Sequence, residues 1–285
     1  MEIREIGVVG CGVMGAGIVH AAAVAGFRTR FVSRSKEKAD RDLERVRQSI
    51  FRAVEKKKLT GEQGDAALKR VRGGETLDFL ESCDIIIESI VEDLERKKEV
   101  FGRLDGILPS RVVLATNTSS FSVSEIGDAT RRPGLVAGMH FFVPAQAMKL
   151  VEVVRGKMTT DQTAQAVAEL ARAMGKEPVT VKDTPGFIVN RMLVPYLNQA
   201  IQAIDDGLAA PEDIDRAVRL GFSVTLGPVS MLDLIGLDVQ LRMSETLYAK
   251  SGDPRFAPPR LLRKMVEDGR LGRKTGRGFF EYERR

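Results

Sequence analysis

The chain has 285 residues, 43% of them hydrophobic and 29% charged, with a formal net charge of +5. This is the composition of a globular chain with room for two ordinary domains, and it excludes intrinsic disorder. Two cysteines argue against a disulfide framework or a zinc cluster and fit a reducing compartment. No apolar run approaches the ~18 residues of a membrane span, and Met1-Glu2-Ile3-Arg4 leads into a strand pattern without a signal peptide. The expectation is a soluble, cytoplasmic protein with no membrane partner. The modest positive excess suits an anionic ligand, but no Lys/Arg cluster interleaved with aromatics suggests nucleic acid.

The first element is the most informative. A short apolar strand, Ile6–Val9, runs into Gly10-Cys11-Gly12-Val13-Met14-Gly15, and an Ala-rich helical pattern follows. In such a Gly-x-Gly-x-x-Gly turn Gly10 permits the tight bend. Gly12 lets the backbone approach a pyrophosphate, and Gly15 lets the helix pack close to the strand. Val13 and Met14 open the helix, whose free N–H groups and dipole favour the phosphates. Dinucleotide binding is the implied function, with Gly10, Gly12, Val13, Met14 and Gly15 as contacts. The second strand, Arg28–Val32, ends in Ser33-Arg34-Ser35-Lys36. An NAD-binding unit usually carries Asp or Glu there to hold the ribose 2′-hydroxyl. Ser33, Arg34 and Lys36 would instead attract a 2′-phosphate, so NADP(H) is expected to be favoured over NAD(H).

Farther along, Lys36–Lys58 reads as a long charged helix with Leu43, Val46, Ile50 and Val54 on one face, and Gly73-Gly74 reads as a turn. Strands are expected at Ile85–Glu88, Val112–Ala115, Leu135–Met139, Leu150–Val154 and Pro178–Val181. Helices are expected at Val91–Leu104 and Thr160–Met174. The alternation predicts an α/β domain, a Rossmann-type, doubly wound, mostly parallel sheet, over residues 1–183. Beyond Thr184-Pro185-Gly186 only helices are expected, at Phe187–Asp206, Pro211–Leu220, Val229–Lys250 and Pro259–Asp268. Residues 184–285 therefore read as an all-α C-terminal domain. The stripe Leu193, Leu197, Ile201 and Ile204 belongs either to that domain's core or to a homodimer interface.

There are only two histidines. His20 lies in the first helix with no acid near it in sequence, which fits a packed or surface residue. His140 follows the strand Leu135–Met139, at the carboxyl edge where ligands of open α/β sheets bind, and imidazole titrates near working pH. Asn117-Thr118-Ser119-Ser120 ends the preceding strand. Glu152 lies within the apolar strand that follows, where a charge is costly unless paired. Paired with His140, it would orient the imidazole and stabilise the imidazolium formed on taking a proton. The implied chemistry is proton abstraction from an alcohol whose hydride leaves for nicotinamide.

Over essentially its whole length the chain resembles the short-chain L-3-hydroxyacyl-CoA dehydrogenases, among them the bacterial 3-hydroxybutyryl-CoA dehydrogenases. The resemblance is carried by Gly10–Gly17, Asp84–Phe101, Ala115–Ser120, His140-Phe141-Phe142, Met148–Val153, Lys182–Arg191, Gly227-Pro228, Leu232–Asp238 and Leu271–Phe279. It implies reversible oxidation of (S)-3-hydroxyacyl-CoA to 3-oxoacyl-CoA, with His140 and Glu152 as the catalytic pair. Ser119 and Asn190 are implied to hydrogen-bond the substrate's 3-oxygen or to hold the site. Glu92 and Lys97 are implied near the nicotinamide ribose and the cofactor, Asn117 among the cofactor contacts, and Ser49 and Lys56 on the coenzyme A portion. Two departures bear on the cofactor: Ser33 stands where the family usually has Asp, and Val143 where it usually has Asn. Gln146 replaces a more usual Pro. The competing readings are a dehydrogenase of a longer-chain or dicarboxylic hydroxyacyl-CoA, one of a free hydroxy acid, and a non-catalytic nucleotide-binding protein.

Overall fold

A computed structural model describes residues 2–283. The chain divides into two compact units, Met1–Phe187 and Ile188–Arg285. The break falls after Phe187, later than the Asp183–Thr184 boundary read from the sequence. Asp183 is tied into the first unit, where it accepts hydrogen bonds from Ser122 Oγ and from the Ser124 amide and hydroxyl at 2.7–2.8 Å. Phe187 is buried in the first unit's core.

The first unit runs β1 (Glu5–Val9), α1 (Val13–Val24), β2 (Arg28–Val32), α2 (Lys36–Glu55), α3 (Gly61–Lys69), β3 (Val71–Gly74), β4 (Ile85–Glu88), α4 (Leu94–Ile107), β5 (Val113–Thr116), α5 (Val123–Gly127), β6 (Val136–Phe141), β7 (Leu150–Arg155), α6 (Asp161–Ala173) and β8 (Glu177–Lys182). The eight strands form one sheet in the order β3-β2-β1-β4-β5-β6-β7-β8. All neighbours are parallel except β6 and β7. Ile6, Val8, Ile85 and Ile87 point into the apolar core on one face, and Val9, Ile86 and Leu114 into that on the other. Burial on both faces explains why the central strands read as continuous apolar runs.

The expected turn at Gly73-Gly74 is instead the end of edge strand β3, with Gly73 opposite Phe31 and Gly74 opposite Val32. A Cβ on Gly73 would meet the Phe31 ring at 2.6 Å, and one on Gly74 the Phe79 ring at 2.5 Å. Glycine is used here for close approach and not for a bend. The long helix expected over Lys36–Lys58 stops at Glu55, after which Lys57 adopts a left-handed conformation with φ 55°. A separate helix, α3, then starts on a Thr60/Gln63 capping box.

The second unit consists of α7 (Val189–Asp205), α8 (Pro211–Phe222), α9 (Pro228–Ile235), α10 (Leu237–Ser251) and α11 (Arg260–Glu267), with no strand among its described residues beyond isolated bridges at Gly272, Arg277 and Glu281. The single helix expected over Val229–Lys250 is broken at Gly236, whose φ is +105°. Leu197 and Ile201 are fully buried with Leu232, Leu237, Leu262 and Met265. That part of the stripe therefore belongs to the unit's own core. Met192, Leu208, Leu220 and Phe222 are exposed instead.

Candidate active site

Apart from Glu152 on β7 and Asn190 in the second unit, the residues predicted for cofactor and chemistry lie at or near the carboxyl ends of five adjacent strands, β2-β1-β4-β5-β6. Because these strands are parallel, the segments that follow them emerge on one side, where open α/β sheets bind ligands. Across the edge, four strand spacings span ~19 Å.

After β1, the three motif glycines do different things. Gly10 has φ +87°, and a Cβ on it would lie 2.7 Å from the Ser89 carbonyl oxygen. A Cβ on Gly15 would run into the Gly10 carbonyl, so the helix can sit this close only without one. A Cβ on Gly12 would meet no protein atom within 4 Å. Gly12 is also the N-cap of α1, with no side-chain cap. The first amides of α1 are left for an outside acceptor, and the bare Gly12 backbone lets that acceptor come close. This arrangement fits a dinucleotide pyrophosphate. Val13 is largely exposed beside it, and Met14 packs partly against the core.

At the end of β2, Arg34 is exposed and makes no ion pair among the described residues. Ser33 is different. It is buried, and its hydroxyl donates to Asp42 Oδ2 at 2.7 Å. The expectation that this hydroxyl serves an incoming phosphate is thereby corrected, since its only proton is already engaged.

At the ends of β4 and β5 a charged network forms. Glu88 is wholly buried, and its Oε1 accepts from Lys97 Nζ and the Ile90 amide, each at 2.7 Å. Its Oε2 accepts from Thr116 Oγ1 at 2.7 Å. Lys97, 1% exposed, also pairs with Glu92 at 3.3 Å. Glu92 in turn gathers the loop after β5, accepting from Thr118 Oγ1 and Ser120 Oγ at 2.7 Å and from the Ser119 and Ser120 amides at 3.1 Å. Ser119 Oγ lies 3.5 Å from the same oxygen. Partial burial acts to raise the Glu92 pKa, but the Lys97 ammonium and the donating hydroxyls outweigh it and hold the carboxyl below its usual range. Asn117 spans to both sides: its amide nitrogen reaches Ser89 Oγ at 3.3 Å, and its oxygen accepts from the Phe141 amide at 2.8 Å. Glu88 and Thr116 were not singled out from the sequence. A carboxylate closing an Ile-Ile-Ile-Glu strand was the available signal, by the same logic that selected Glu152.

His140 lies inside β6, near its carboxyl end and not beyond it. The antiparallel register of β6 and β7 places Glu152 directly opposite. Directly opposed residues share a face, with Cβ atoms about 5 Å apart. The His140 Nδ1 to Glu152 Oε2 distance is 2.7 Å, with the side chains 7% and 1% exposed. The Phe142 and Phe187 rings pack on the imidazole at centroid distances of 4.5 and 5.6 Å. With Nδ1 bonded to the carboxylate, Nε2 is the nitrogen left for proton exchange. Val143, at the position of the missing Asn, is exposed.

Of the residues carried over for coenzyme A, Lys56 is exposed at the end of α2. Ser49 Oγ lies 2.8 Å from His20 Nδ1, so that hydroxyl is shared with a buried imidazole. Asn190 sits in the first turn of α7, in the second unit.

Residues 5–184 match the family described as 3-hydroxyacyl-CoA dehydrogenase, NAD binding domain, and residues 186–282 match its C-terminal domain. The chain belongs to the 3-hydroxyacyl-CoA dehydrogenase family. It is 44% identical over 283 residues to a probable 3-hydroxybutyryl-CoA dehydrogenase of Bacillus subtilis, covering 99% of each chain. It is 37% identical over 289 residues to human mitochondrial hydroxyacyl-coenzyme A dehydrogenase, covering 99% of this chain and 92% of the relative. The crystal structure of (S)-3-hydroxybutyryl-CoA dehydrogenase from Ralstonia eutropha superposes with a TM-score of 0.95 at 42% identity, over 99% of this chain and 100% of that one. Family membership makes the Gly10–Gly15 edge part of a nicotinamide-dinucleotide-binding domain. No helix among the described residues is long and apolar enough to cross a membrane.

Proposed function

We propose that the protein catalyses the reversible oxidation of (S)-3-hydroxybutyryl-CoA, a 3-hydroxyacyl-CoA, to the 3-oxoacyl-CoA. The observation that carries this is the 2.7 Å His140–Glu152 pair at the sheet edge that also bears the glycine-rich turn. In oxidation His140 Nε2 takes the proton of the C3 hydroxyl, and Glu152 offsets the positive charge that develops on the ring. Ser119 and Asn190 hold the oxygen as it becomes a carbonyl. A bound nicotinamide supplies the acceptor for the C3 hydride. In reduction His140 returns the proton. Lys97 and Glu92 form the nicotinamide-ribose wall with Asn117, and Lys56 and Ser49 hold the coenzyme A portion.

The cofactor is NADP(H) in preference to NAD(H). Supporting this, Arg34 and Lys36 are exposed beside the N-terminus of a 20-residue helix capped by Ser35, a combination of donors and dipole suited to a phosphate. The protein works as a homodimer through its C-terminal helices, a reading supported by the exposed Met192, Leu208, Leu220 and Phe222. Two buried free thiols, Cys11 and Cys83, suit a cytoplasmic setting.

One absorbance assay tests the reaction: acetoacetyl-CoA with NADH and NADPH in parallel, and free acetoacetate as control. Reduction of the thioester alone is expected, faster with NADPH. Turnover of the free acid but not the thioester would overturn the substrate, and a clear advantage for NADH would overturn the cofactor preference. Analytical ultracentrifugation should give twice the chain mass; a monomer would remove the dimer.

A further inference from the structure

The end of β2 carries an anion that the sequence motif does not account for. Asp42 is 1% exposed and lies on the buried stripe of α2 with Ala39, Val46 and Ile50. Its carboxylate accepts from Ser33 Oγ at 2.7 Å and pairs with Lys38 Nζ and Arg45. Arg45 also donates to the Cys11 carbonyl at 3.3 Å. One buried carboxylate therefore ties together the end of β2, the first turns of α2 and the glycine-rich turn. These are the three segments that surround the adenosine ribose in a unit of this kind.

The direction of the Ser33 bond has a chemical consequence. An ionised carboxylate can only accept, so the Ser33 proton points at Asp42 and Ser33 Oγ offers lone pairs to anything else. A ribose 2′-hydroxyl can donate to those lone pairs. A 2′-phosphate brings acceptors and meets a negative charge directly behind the serine. Lys38 and Arg45, which could otherwise serve a phosphate, are held on the carboxylate.

We propose that Asp42 is a positioning residue for cofactor choice. Through Ser33 it presents an acceptor to the unphosphorylated ribose, and it withholds Lys38 and Arg45 from a 2′-phosphate. It thus opposes Arg34 and Lys36 and keeps NAD(H) usable beside NADP(H). The carboxylate missing at the end of β2 is supplied from α2. This rests on the reading above that the end of β2 holds the adenosine ribose.

Two variants of the full chain test it, Asp42→Asn and Ser33→Ala. Both are read by equilibrium titration of NADH and NADPH, following dihydronicotinamide fluorescence without substrate, and by kcat/KM on acetoacetyl-CoA. Asp42→Asn removes the charge and loosens both cations, so the Kd ratio should move about tenfold toward NADPH. Ser33→Ala removes the acceptor but keeps the ion pairs. NADH binding should weaken about three- to tenfold, and NADPH should stay within about twofold. If Asp42→Asn fails to fold, Ser33→Ala decides alone. Equal changes for both cofactors, or a shift of Asp42→Asn toward NADH, overturn the proposal. The wild-type ratio is a separate result: a wild-type preference for NADH removes only the preference proposed above. Failure of the wild type to bind either dinucleotide removes the site reading and this proposal with it.

Discussion

The two histidines have nearly the same burial and the same kind of contact, yet they differ in chemistry. His20 is 7% exposed and His140 5% exposed. Each makes one hydrogen bond through Nδ1, at 2.8 and 2.7 Å. The partner of His20 is the Ser49 hydroxyl, and the nearby charge is the Lys176 ammonium. Burial, aided by Lys176, pushes the His20 pKa down to about 4. The partner of His140 is a carboxylate. The Ser49 hydroxyl carries no charge to offset the burial of His20, whereas the Glu152 carboxylate stands directly against the His140 ring. The histidine proposed as general base is set apart by its partner, not by its depth.

The largest effect is expected at His140. His140→Gln should lower kcat about 10²–10⁴-fold, while NADPH binding measured by fluorescence stays near normal. Residual activity within about twofold of wild type would end the role assignment. Glu152→Gln makes the setting of His140 resemble that of His20, with a neutral partner. It should cost about 10²-fold or more in kcat, with cofactor binding retained.

The reverse operation sharpens the contrast. Ser49→Asp gives His20 an anionic partner, and NMR titration should show its pKa rising by about 1–3 units from its value in the wild type. No rise would mean that burial alone sets it. The wild-type value also predicts acid behaviour. Between the ordinary pKa of 6.5 and about 4, an unfolded His20 binds a proton that the folded one does not. Stability is therefore full above about pH 6.5 and declines as pH falls toward 4, by about 3 kcal/mol in total from this group. Thermal melts of His20→Gln should show a shallower decline over that window. The smallest effect is on turnover: kcat of His20→Gln should remain within about twofold of wild type, since no proton passes through it. A large loss would place His20 in the chemistry.

Much of this was legible in the sequence, and the gaps have physical reasons. β4 falls where an apolar run between turn signals put it, because strands buried on both faces carry their own signature. β3 was hidden because Gly73 and Gly74 are usually punctuation, and only the Phe31 and Phe79 rings above them explain their presence in a strand. The Thr60/Gln63 box that starts α3 was readable locally but lies just past the charged Lys36–Lys58 run, and was passed over. At the site, His140 and Glu152 were found because each is an unusual residue on an apolar strand. Glu88 obeyed the same rule and was passed over. Asp42 interrupts the apolar face of α2, but its partners, Ser33 above all, are contributed by the fold.

The reversal of β7 against β6 also sets a counting rule. Residue numbers across the two strands run in opposite directions, so Met139 faces Val153, His140 faces Glu152 and Phe141 faces Val151. One residue inserted into β7 ahead of Glu152 would bring a valine opposite the imidazole and turn the acid to the other side of the sheet. Strand pairing would survive such an insertion while the His140–Glu152 contact is lost. A length change in the link between Phe142 and Lys149, by contrast, lies outside both strands and leaves the facing pairs as they are.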